Sequence, residues 1–272
     1  MRRRKGWRWT LLVSLVVFII VIPLYFIAIG GFMSVEEIFR KPPYFFPPNP
    51  KLDYYKEAFF TLLPYMRNSF LISFGTLGLT LLVSLPAAFV LAKFKLIVNR
   101  FANILFTFVQ ILPFVAVIIP LFLIFTKLKM INNLWGVILG LSVFLVPFAI
   151  IILRAYMMSI PTALLEAAVI DGASYFKLFL KIILPLSAPA IASVSILVFL
   201  LAWGNFIIPL AFVKERSLQP MSIGLYNFIG QYGVQWNKLM AGSMIYTLPP
   251  LIVALIAGKA IVAGLTAGAL KE

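Results

Sequence analysis

The chain contains no cysteine and no histidine among its 272 residues. Their absence excludes disulfide bonds, zinc sites built from cysteine and histidine, and a histidine general base. No GxxxxGK[ST] phosphate loop occurs either, because Gly258-Lys259 lacks both the upstream glycine and the following hydroxyl residue. The sequence therefore predicts no catalytic residue, no metal site and no cofactor in this chain.

Charged residues make up only 11% of the chain, whereas hydrophobic residues make up 63% and the mean hydropathy is +1.07. Soluble domains are typically about 45–50% apolar, so this chain has more apolar surface than a soluble core can bury. A net charge of +15 is also found in nucleic-acid-binding proteins, but here the basic residues lie at the ends of apolar runs. Composition therefore predicts a protein of the lipid bilayer with no nucleic-acid partner.

Six apolar stretches are long enough to cross a bilayer, whose core of about 30 Å requires roughly 20 residues of helix. Prolines within several of them are tolerated where neighbouring helices satisfy the freed backbone groups. We therefore expect an all-α fold, a polytopic membrane protein with six transmembrane helices in one domain that covers residues 1–272. The predicted spans are residues 10–30, 68–91, 103–126, 134–155, 184–208 and 241–262.

The basic residues predict which side of the membrane each loop faces. Cytoplasmic loops carry an excess of lysine and arginine, and a basic cluster precedes the first span, so we expect a cytoplasmic N-terminus. A second basic loop, with no acidic residue, follows the second span and fits the same orientation. Six spans then place the C-terminus and the loop 156–183 in the cytoplasm. The two clusters are Arg2, Arg3, Arg4, Lys5 and Arg8, and Lys93, Lys95 and Arg100.

The loop 156–183 carries the local signals of a helix, a turn and a second helix. Thr162 to Asp171 contains good helix formers, and Gly172 is a natural C-terminal stop. Ser174 is a suitable cap for a second helical segment, which meets Pro185 at the start of the fifth span. The sequence therefore predicts two short helices that lie along the cytoplasmic surface.

The same loop has a specific spacing of residues. It reads Glu-Ala-Ala at 166–168, then three residues, Gly172, nine residues, and Ile-x-Leu-Pro at 182–185. This pattern resembles the cytoplasmic coupling loop of bacterial ABC-importer permeases. Other segments extend the resemblance over nearly the whole chain, to the maltose-type, carbohydrate-uptake branch and to the smaller of its two paired permeases. They include Asn132-Asn133-Leu134-Trp135-Gly136, Ile170-Asp171-Gly172-Ala173-Ser174 and Pro220-Met221-Ser222-Ile223-Gly224-Leu225.

The resemblance implies a permease whose ATPase is a separate protein. An ATPase dimer would bind ATP and Mg²⁺, and a second homologous permease and an extracytoplasmic solute-binding protein would complete the complex. The implied cargo is a sugar, either a mono- or an oligosaccharide, and the implied location is a bacterial or archaeal cytoplasmic membrane. The residues implied to couple to the ATPase are Glu166, Ala167, Ala168, Asp171, Gly172, Leu184 and Pro185. The C-terminal tail is implied to reach the ATPase through Gly264, Thr266, Gly268 and Lys271.

A sugar pathway requires aromatic faces for pyranose rings and amides or hydroxyls for their edges. The candidates within spans or at their ends are Gln110, Trp203, Asn205 and Tyr246. The same residue types are expected as interfacial anchors or as hydrogen-bonding groups between helices, so both interpretations stay open. At 203–205 the chain has Trp-Gly-Asn where the resembled family often has Trp-Asn-Glu or Trp-Asn-Asp. The external loop 209–220 is either a contact for the solute-binding protein or a solvated loop of mixed charge.

Two alternative functions stay open on sequence alone. One is an ABC permease for another solute, such as a polyol, glycerol phosphate or a polyamine. The other is an ion-coupled secondary transporter, a class that usually places ionisable groups in mid-membrane. All eight acidic residues lie outside the predicted spans, which argues against the second alternative.

Overall fold

Helices dominate the part of the chain up to residue 133. The computed structural model describes residues 6–94, 97–230 and 233–269. The first helices are α1 (Gly6–Gly30), α2 (Val35–Ile38), α3 (Asp53–Lys93), α4 (Val98–Ile111) and α5 (Phe114–Lys127).

From residue 134 onwards, short helices and turns separate the longer helices. They are α6 (Leu134–Met158), α7 (Thr162–Ile170), α8 (Tyr175–Leu178), a π-helical turn (Phe179–Ile183), α9 (Leu184–Leu186), α10 (Ala188–Gly204), α11 (Ile207–Phe212), a 3-10 turn (Arg216–Leu218), α12 (Met221–Gly224), a second 3-10 turn (Leu225–Phe228) and α13 (Trp236–Ala269). Two short strands, β1 (Ile229–Gly230) and β2 (Gly233–Val234), pair antiparallel with Ile229 opposite Val234.

Four helices, α1, α3, α6 and α13, contain segments long and apolar enough to cross a membrane. Two bent pairs raise the number to six if each pair is one span. The first is α4 with α5, bent by 105°, and the second is Tyr175–Leu186 with α10, bent by 75°. The chain is thus an all-helical polytopic membrane protein with four to six candidate spans, as the sequence predicts.

The predicted span 103–126 is broken by a proline. Leu112, between α4 and α5, is extended with φ −61° and ψ 132°, and Pro113 follows it. The ring of a proline disfavours the helical conformation of the residue before it, which explains the bend at this point. Pro120 and Pro147, in contrast, lie inside helices.

The predicted span 184–208 is interrupted twice. The chain bends between Leu186 and Ala188, and α10 then ends at Gly204. Asn205 is extended, and its Oδ1 accepts a hydrogen bond from the Ile208 N–H at 3.0 Å. The asparagine therefore caps the start of α11 and satisfies a backbone donor that hydrocarbon would leave unpaired.

The described chain forms two compact units, and the prediction of one domain over 1–272 stays a prediction. The first unit contains the residues up to Pro64 and Gly224–Leu248. In this unit the Tyr55 hydroxyl donates to the Ala28 carbonyl at 2.8 Å. The apolar part of α1 from Trp9 to Tyr25 is exposed, so lipid or another protein must cover it.

The second unit contains Tyr65–Ile223 and the residues from Pro249 onwards. Its core draws buried side chains from α3, α5, α6, α10 and α11. Leu178 and Ile183, from the segment that follows α7, are fully buried in the same core. The core therefore fixes the loop 156–183 to the long helices.

Two helical glycines provide a matched test of this packing. A Cβ at Gly136 would overlap the Met130 carbonyl oxygen, whereas a Cβ at Gly78 would meet no atom within 4 Å. Because forced overpacking costs about 1–3 kcal/mol, Gly136→Ala should lower the melting temperature of the detergent-solubilised protein. Gly78→Ala should not lower it, since alanine favours a helix over glycine by about 1 kcal/mol. Equal melting temperatures for both variants would contradict the close approach at Gly136.

Candidate functional site

The loop 156–183, here called the coupling loop, contains the predicted helix. Pro161 has φ −58°, and α7 follows it directly from Thr162 to Ile170. Asp171 is the C-cap residue, so the predicted helical segment is confirmed to within one residue. The fixed φ of proline suits the entry into a helix, which explains why α7 begins where it does.

Gly172 ends α7 through its backbone conformation. Its φ is +78°, in the left-handed region that glycine adopts without steric cost. Its N–H donates to the Val169 carbonyl and the Ala173 N–H donates to the Ala168 carbonyl, both at 2.9 Å. These two bonds form a Schellman cap, which satisfies carbonyls that lack partners at a helix end. A Cβ on Gly172 would meet no atom within 4 Å, so conformation rather than space requires glycine.

Ser174 begins the second part of the coupling loop, as predicted. Its hydroxyl accepts a hydrogen bond from the Lys177 N–H at 3.3 Å and so caps α8. Leu184 and Pro185 then lie in α9, immediately before the 75° bend into α10. Leu184 is half-buried and Pro185 is exposed. The two residues therefore join the coupling loop to a candidate span.

One side of α7 packs on the protein and the other is exposed. Leu165 and Ala168 contact the core of the second unit. Glu166 and Ala167 are exposed, and 86% of the Ile170 surface is accessible. The small alanine leaves room for a close approach by another backbone, and the exposed isoleucine gives that approach an apolar contact.

A groove of about 490 Å³ lies between α7 and the C-terminal end of α3. Phe94 and Tyr175 form an edge-to-face ring pair in its wall, with their centroids 5.2 Å apart. Lys93 and Glu166 place one charge of each sign at the groove. Its lining comprises Lys93, Phe94, Thr162, Leu165, Glu166, Val169, Ile170 and Tyr175. Such a groove suits an apolar side chain flanked by a basic group on a partner protein.

The two acidic residues of the coupling loop are available to a partner. Glu166 and Asp171 are both exposed. Across the described ranges, the ion pairs join Lys56 to Asp53 and Lys238 to Glu57, and neither involves the coupling loop. Among the described residues, the carboxylates of Glu166 and Asp171 form no ion pair and are exposed to solvent.

Trp203, a candidate for the substrate pathway, is packed inside the second unit. It is 3% exposed, and its ring lies edge-to-face with Phe70 at 4.9 Å and stacks on Phe199 at 5.8 Å. Stacking on a sugar ring needs an exposed aromatic face, and this indole is buried in the observed conformation. Its contacts are those of a packing residue.

Gln110 and Asn205 are connected to one cavity of about 560 Å³. Asn205 lines this cavity together with Phe114, Phe144 and Phe206. The Gln110 Nε2 donates to the Phe144 carbonyl at 3.0 Å. The cavity therefore combines aromatic faces with an amide, the residue types that a sugar pathway requires. No local sequence signal marks the three phenylalanines, because they come from the start of α5, from α6 and from the break between α10 and α11.

Tyr246 and the C-terminal candidates lie in other parts of the chain. Tyr246 is half-buried in the α13 portion of the first unit. Gly264, Thr266 and Gly268 lie in the backbone of α13, and Lys271 lies outside the described residues. No cluster of three or more His, Cys, Asp or Glu that suits a metal ion occurs in the described part of the chain.

The loop 209–220, predicted to be external, is hydrogen-bonded to side chains of the second unit. Asn132 has φ +58°, and its Oδ1 accepts from the N–H groups of Lys214 and Glu215 at 3.2 and 2.8 Å. Asn68 Nδ2 donates to two carbonyls of the loop at 2.8 and 3.0 Å. The loop is therefore a fixed surface rather than a loose connection.

The family of this chain follows from its sequence match to known proteins. The profile of a family described as "Binding-protein-dependent transport system inner membrane component" matches residues 84–266, which include the whole coupling loop. The chain belongs to this family. It is the transmembrane permease component of its transporter, and the ATPase is a separate component.

Several curated permeases of this family are similar to the chain. The galactooligosaccharides transport system permease protein GanQ of Bacillus subtilis is 32% identical over 267 residues, covering 96% of this chain and 94% of that protein. The diacetylchitobiose uptake system permease protein DasC of Streptomyces coelicolor is 29% identical over 97% and 96% of the two chains. The trehalose/maltose transport system permease protein MalG of Thermococcus litoralis is 46% identical over 118 residues, which are 43% of this chain and 42% of that protein.

Solved structures of ABC transporters share the fold of this permease. A chain from a bacterial ABC transporter involved in the import of the acidic polysaccharide alginate superposes with a TM-score of 0.79 at 20% identity. The match covers 94% of this chain and 96% of that chain. At this identity the likeness concerns the fold alone.

The cap of α7 can be tested by two substitutions of one glycine. Gly172→Val should open the end of α7, because a left-handed backbone costs a non-glycine residue about 1–2 kcal/mol, a factor of 5–30 in population. Gly172→Asn should retain the cap, since asparagine tolerates this conformation. Hydrogen exchange of peptides that cover residues 168–174 provides the measurement. Equal exchange in both variants would contradict a cap that depends on backbone conformation.

Proposed function

We propose that this permease carries a sugar, either a mono- or an oligosaccharide, across the cytoplasmic membrane as part of a binding-protein-dependent ABC importer. The observation that carries the proposal is α7, an exposed and capped helix that bears Glu166-Ala167-Ala168 between two candidate spans. The relatives that align along almost the whole chain are named for galactooligosaccharides and diacetylchitobiose, which supports a sugar as the cargo.

Contacts within the second unit support a cytoplasmic position for the coupling loop. Lys93 Nζ donates to the Ile160 carbonyl, so the C-terminal end of α3 and the start of the coupling loop lie at the same end of this unit. Asn132, in contrast, binds the loop 209–220. The excess of basic residues assigns the first of these ends to the cytoplasm, together with the N- and C-termini.

The exposed side of α7 and the adjacent groove are the proposed docking surface for one subunit of an ATPase dimer. Glu166 and Asp171 would face basic side chains of the ATPase, and Ala167 and Ala168 would permit close approach. The ATPase would bind ATP and Mg²⁺. Because Gly172 and Ser174 cap the helices on either side of the turn, ATP-driven closure of the ATPase would move the loop as a rigid piece. Leu184 and Pro185 would pass that movement to α10.

The other proposed partners contact other surfaces. A second homologous permease would pair with this chain in the membrane, where the exposed α1 requires a cover of protein or lipid. An extracytoplasmic solute-binding protein would dock on the fixed loop 209–220. The tail that contains Gly264, Thr266, Gly268 and Lys271 would extend towards the ATPase. In this complex the whole chain, residues 1–272, would serve as one transmembrane domain.

A second candidate cargo is a glycosylated glycerol or a related small osmolyte. The sulfoquinovosyl glycerol transport system permease protein SmoH of Agrobacterium fabrum is 30% identical over 251 residues, covering 92% of this chain and 88% of that protein. The cavity lined by Phe114, Phe144 and Asn205 would accept the sugar portion of either cargo. Thermal shifts of the cognate solute-binding protein with a panel of sugars and glycosyl glycerols would separate the two.

Reconstitution tests the importer directly. Proteoliposomes that contain both permeases and the ATPase should accumulate radiolabelled sugar only when the solute-binding protein is outside and ATP is inside. Uptake by this chain alone, driven by an ion gradient without ATP, would contradict the proposal and favour a secondary transporter.

A pair of charge reversals tests the docking surface. Glu166→Lys should lower ATPase retention in the purified complex several-fold, because it places like charges together across the interface. Glu36→Lys makes the same change on the predicted external side and should leave ATPase retention unchanged. The ratio of ATPase to permease after affinity purification is the measurement. An unaltered ratio in Glu166→Lys would show that this carboxylate lies outside the interface with the ATPase.

A further inference from the structure

Two cations connect the C-terminal ends of α3 and α6. Lys93, the last residue of α3, donates from Nζ to the Ile160 carbonyl, just beyond the end of α6. Arg154, in the last turns of α6, donates from Nε to the Leu91 carbonyl of α3 at 3.2 Å. Each helix therefore supplies a cation to a carbonyl at the end of the other. Here we call this pair of contacts the cation cross-tie.

One acceptor of the cross-tie, the Leu91 carbonyl, is among the last carbonyls of α3, and the other, the Ile160 carbonyl, lies two residues beyond the end of α6. The last carbonyls of a helix lack backbone partners and carry the negative end of its dipole. A cation at that place makes a charge-assisted hydrogen bond, which is about twice as strong as a neutral one. Leu91 and Ile160 lie near the C-terminal ends of α3 and α6. Lys93 and Arg154 are both half-buried there, so dissolved ions screen their charges less than they screen exposed charges.

The position of Ile160 gives the cross-tie a mechanical role. Ser159, Ile160 and Pro161 form the link between the end of α6 and the first residue of α7. Ile160 is 7% exposed, so its side chain is also fixed in the core. Lys93 therefore binds the backbone of the link through which any movement of α7 reaches α6. The hydrogen bond from Arg154 to the Leu91 carbonyl links α6 to α3 at a second position, further from the coupling loop.

We propose that Lys93 and Arg154 are positioning residues that make α3 and α6 follow α7 as one body when the ATPase closes. This inference rests on the proposed function of the coupling loop. Without the cross-tie, α7 still moves with the ATPase, but α3 lags behind and the spans reorient in only some cycles. ATP hydrolysis then continues while solute transfer per cycle falls.

The number of ATP molecules hydrolysed per solute imported tests the cross-tie in the reconstituted complex. Arg154→Met should raise this number at least threefold, while binding-protein-stimulated hydrolysis stays within a factor of two, because Arg154 does not line the docking groove. Lys93 lines that groove, so for Lys93→Met the same rise is expected when hydrolysis and uptake are both expressed per ATPase retained in the complex. Lys93→Arg should restore the wild-type number, because it retains a cationic donor. Lys177→Met is the matched control, since it removes an exposed cation of the coupling loop that lies outside the cross-tie.

Two outcomes of that assay separate the possible failures. If hydrolysis and uptake fall in equal proportion in Arg154→Met, the residue only stabilises the fold and the inference is overturned. If the wild-type complex imports solute without ATP, the proposed function itself fails, and the inference fails with it.

A distance measurement tests the same idea with Lys93 and Arg154 intact. The chain has no cysteine, so spin labels at Val90→Cys and Ala163→Cys, both exposed positions, report on α3 and α7 alone. The distance between the labels should stay the same in the nucleotide-free and ATP-bound complexes, because the cross-tie moves both helices together. A distance that changes between the two states would overturn the inference even if the methionine variants fail to assemble.

Discussion

The structure depends on one constraint, which is that hydrocarbon offers no hydrogen-bond partner to a peptide group. Every backbone N–H and C=O within the membrane must therefore pair inside the protein. Long helices meet this requirement, and each interruption needs a local substitute. At the break after α10, the Asn205 side chain accepts from the Ile208 N–H, and at the end of α3, Arg154 donates to the Leu91 carbonyl.

The same constraint explains why the coupling loop is a defined part rather than a flexible connection. Outside the hydrocarbon, water can pair with the backbone, yet this loop still ends its first helix with the Gly172 cap and begins the next with the Ser174 cap. Its buried Leu178 and Ile183 fix it to the long helices, while Glu166 and Ala167 stay exposed. A rigid piece that is anchored on one side and exposed on the other suits a transmitter of force between two proteins.

Sequence reasoning succeeded where the signal is local and failed where it is tertiary. Gly172 and Ser174 act through their own backbone and their nearest neighbours, so the bounds of α7 and the start of α8 were predictable. The start of α3 at Asp53 was not, because hydropathy marks the apolar part of a helix and not its polar first turns. The packing of Trp203 was not predictable either, because its partners Phe70 and Phe199 become neighbours only in the folded chain, and its place in a substrate pathway stays a prediction.

The central claim is that α7 faces the cytoplasm and is covered by the ATPase. Because the chain lacks cysteine, Ala167→Cys provides a single exposed thiol on α7. A membrane-impermeant maleimide should label it in inside-out vesicles stripped of the ATPase, and rebinding of the ATPase should block the labelling. Labelling from the external face of intact cells, or labelling that the ATPase leaves unchanged, would contradict the account.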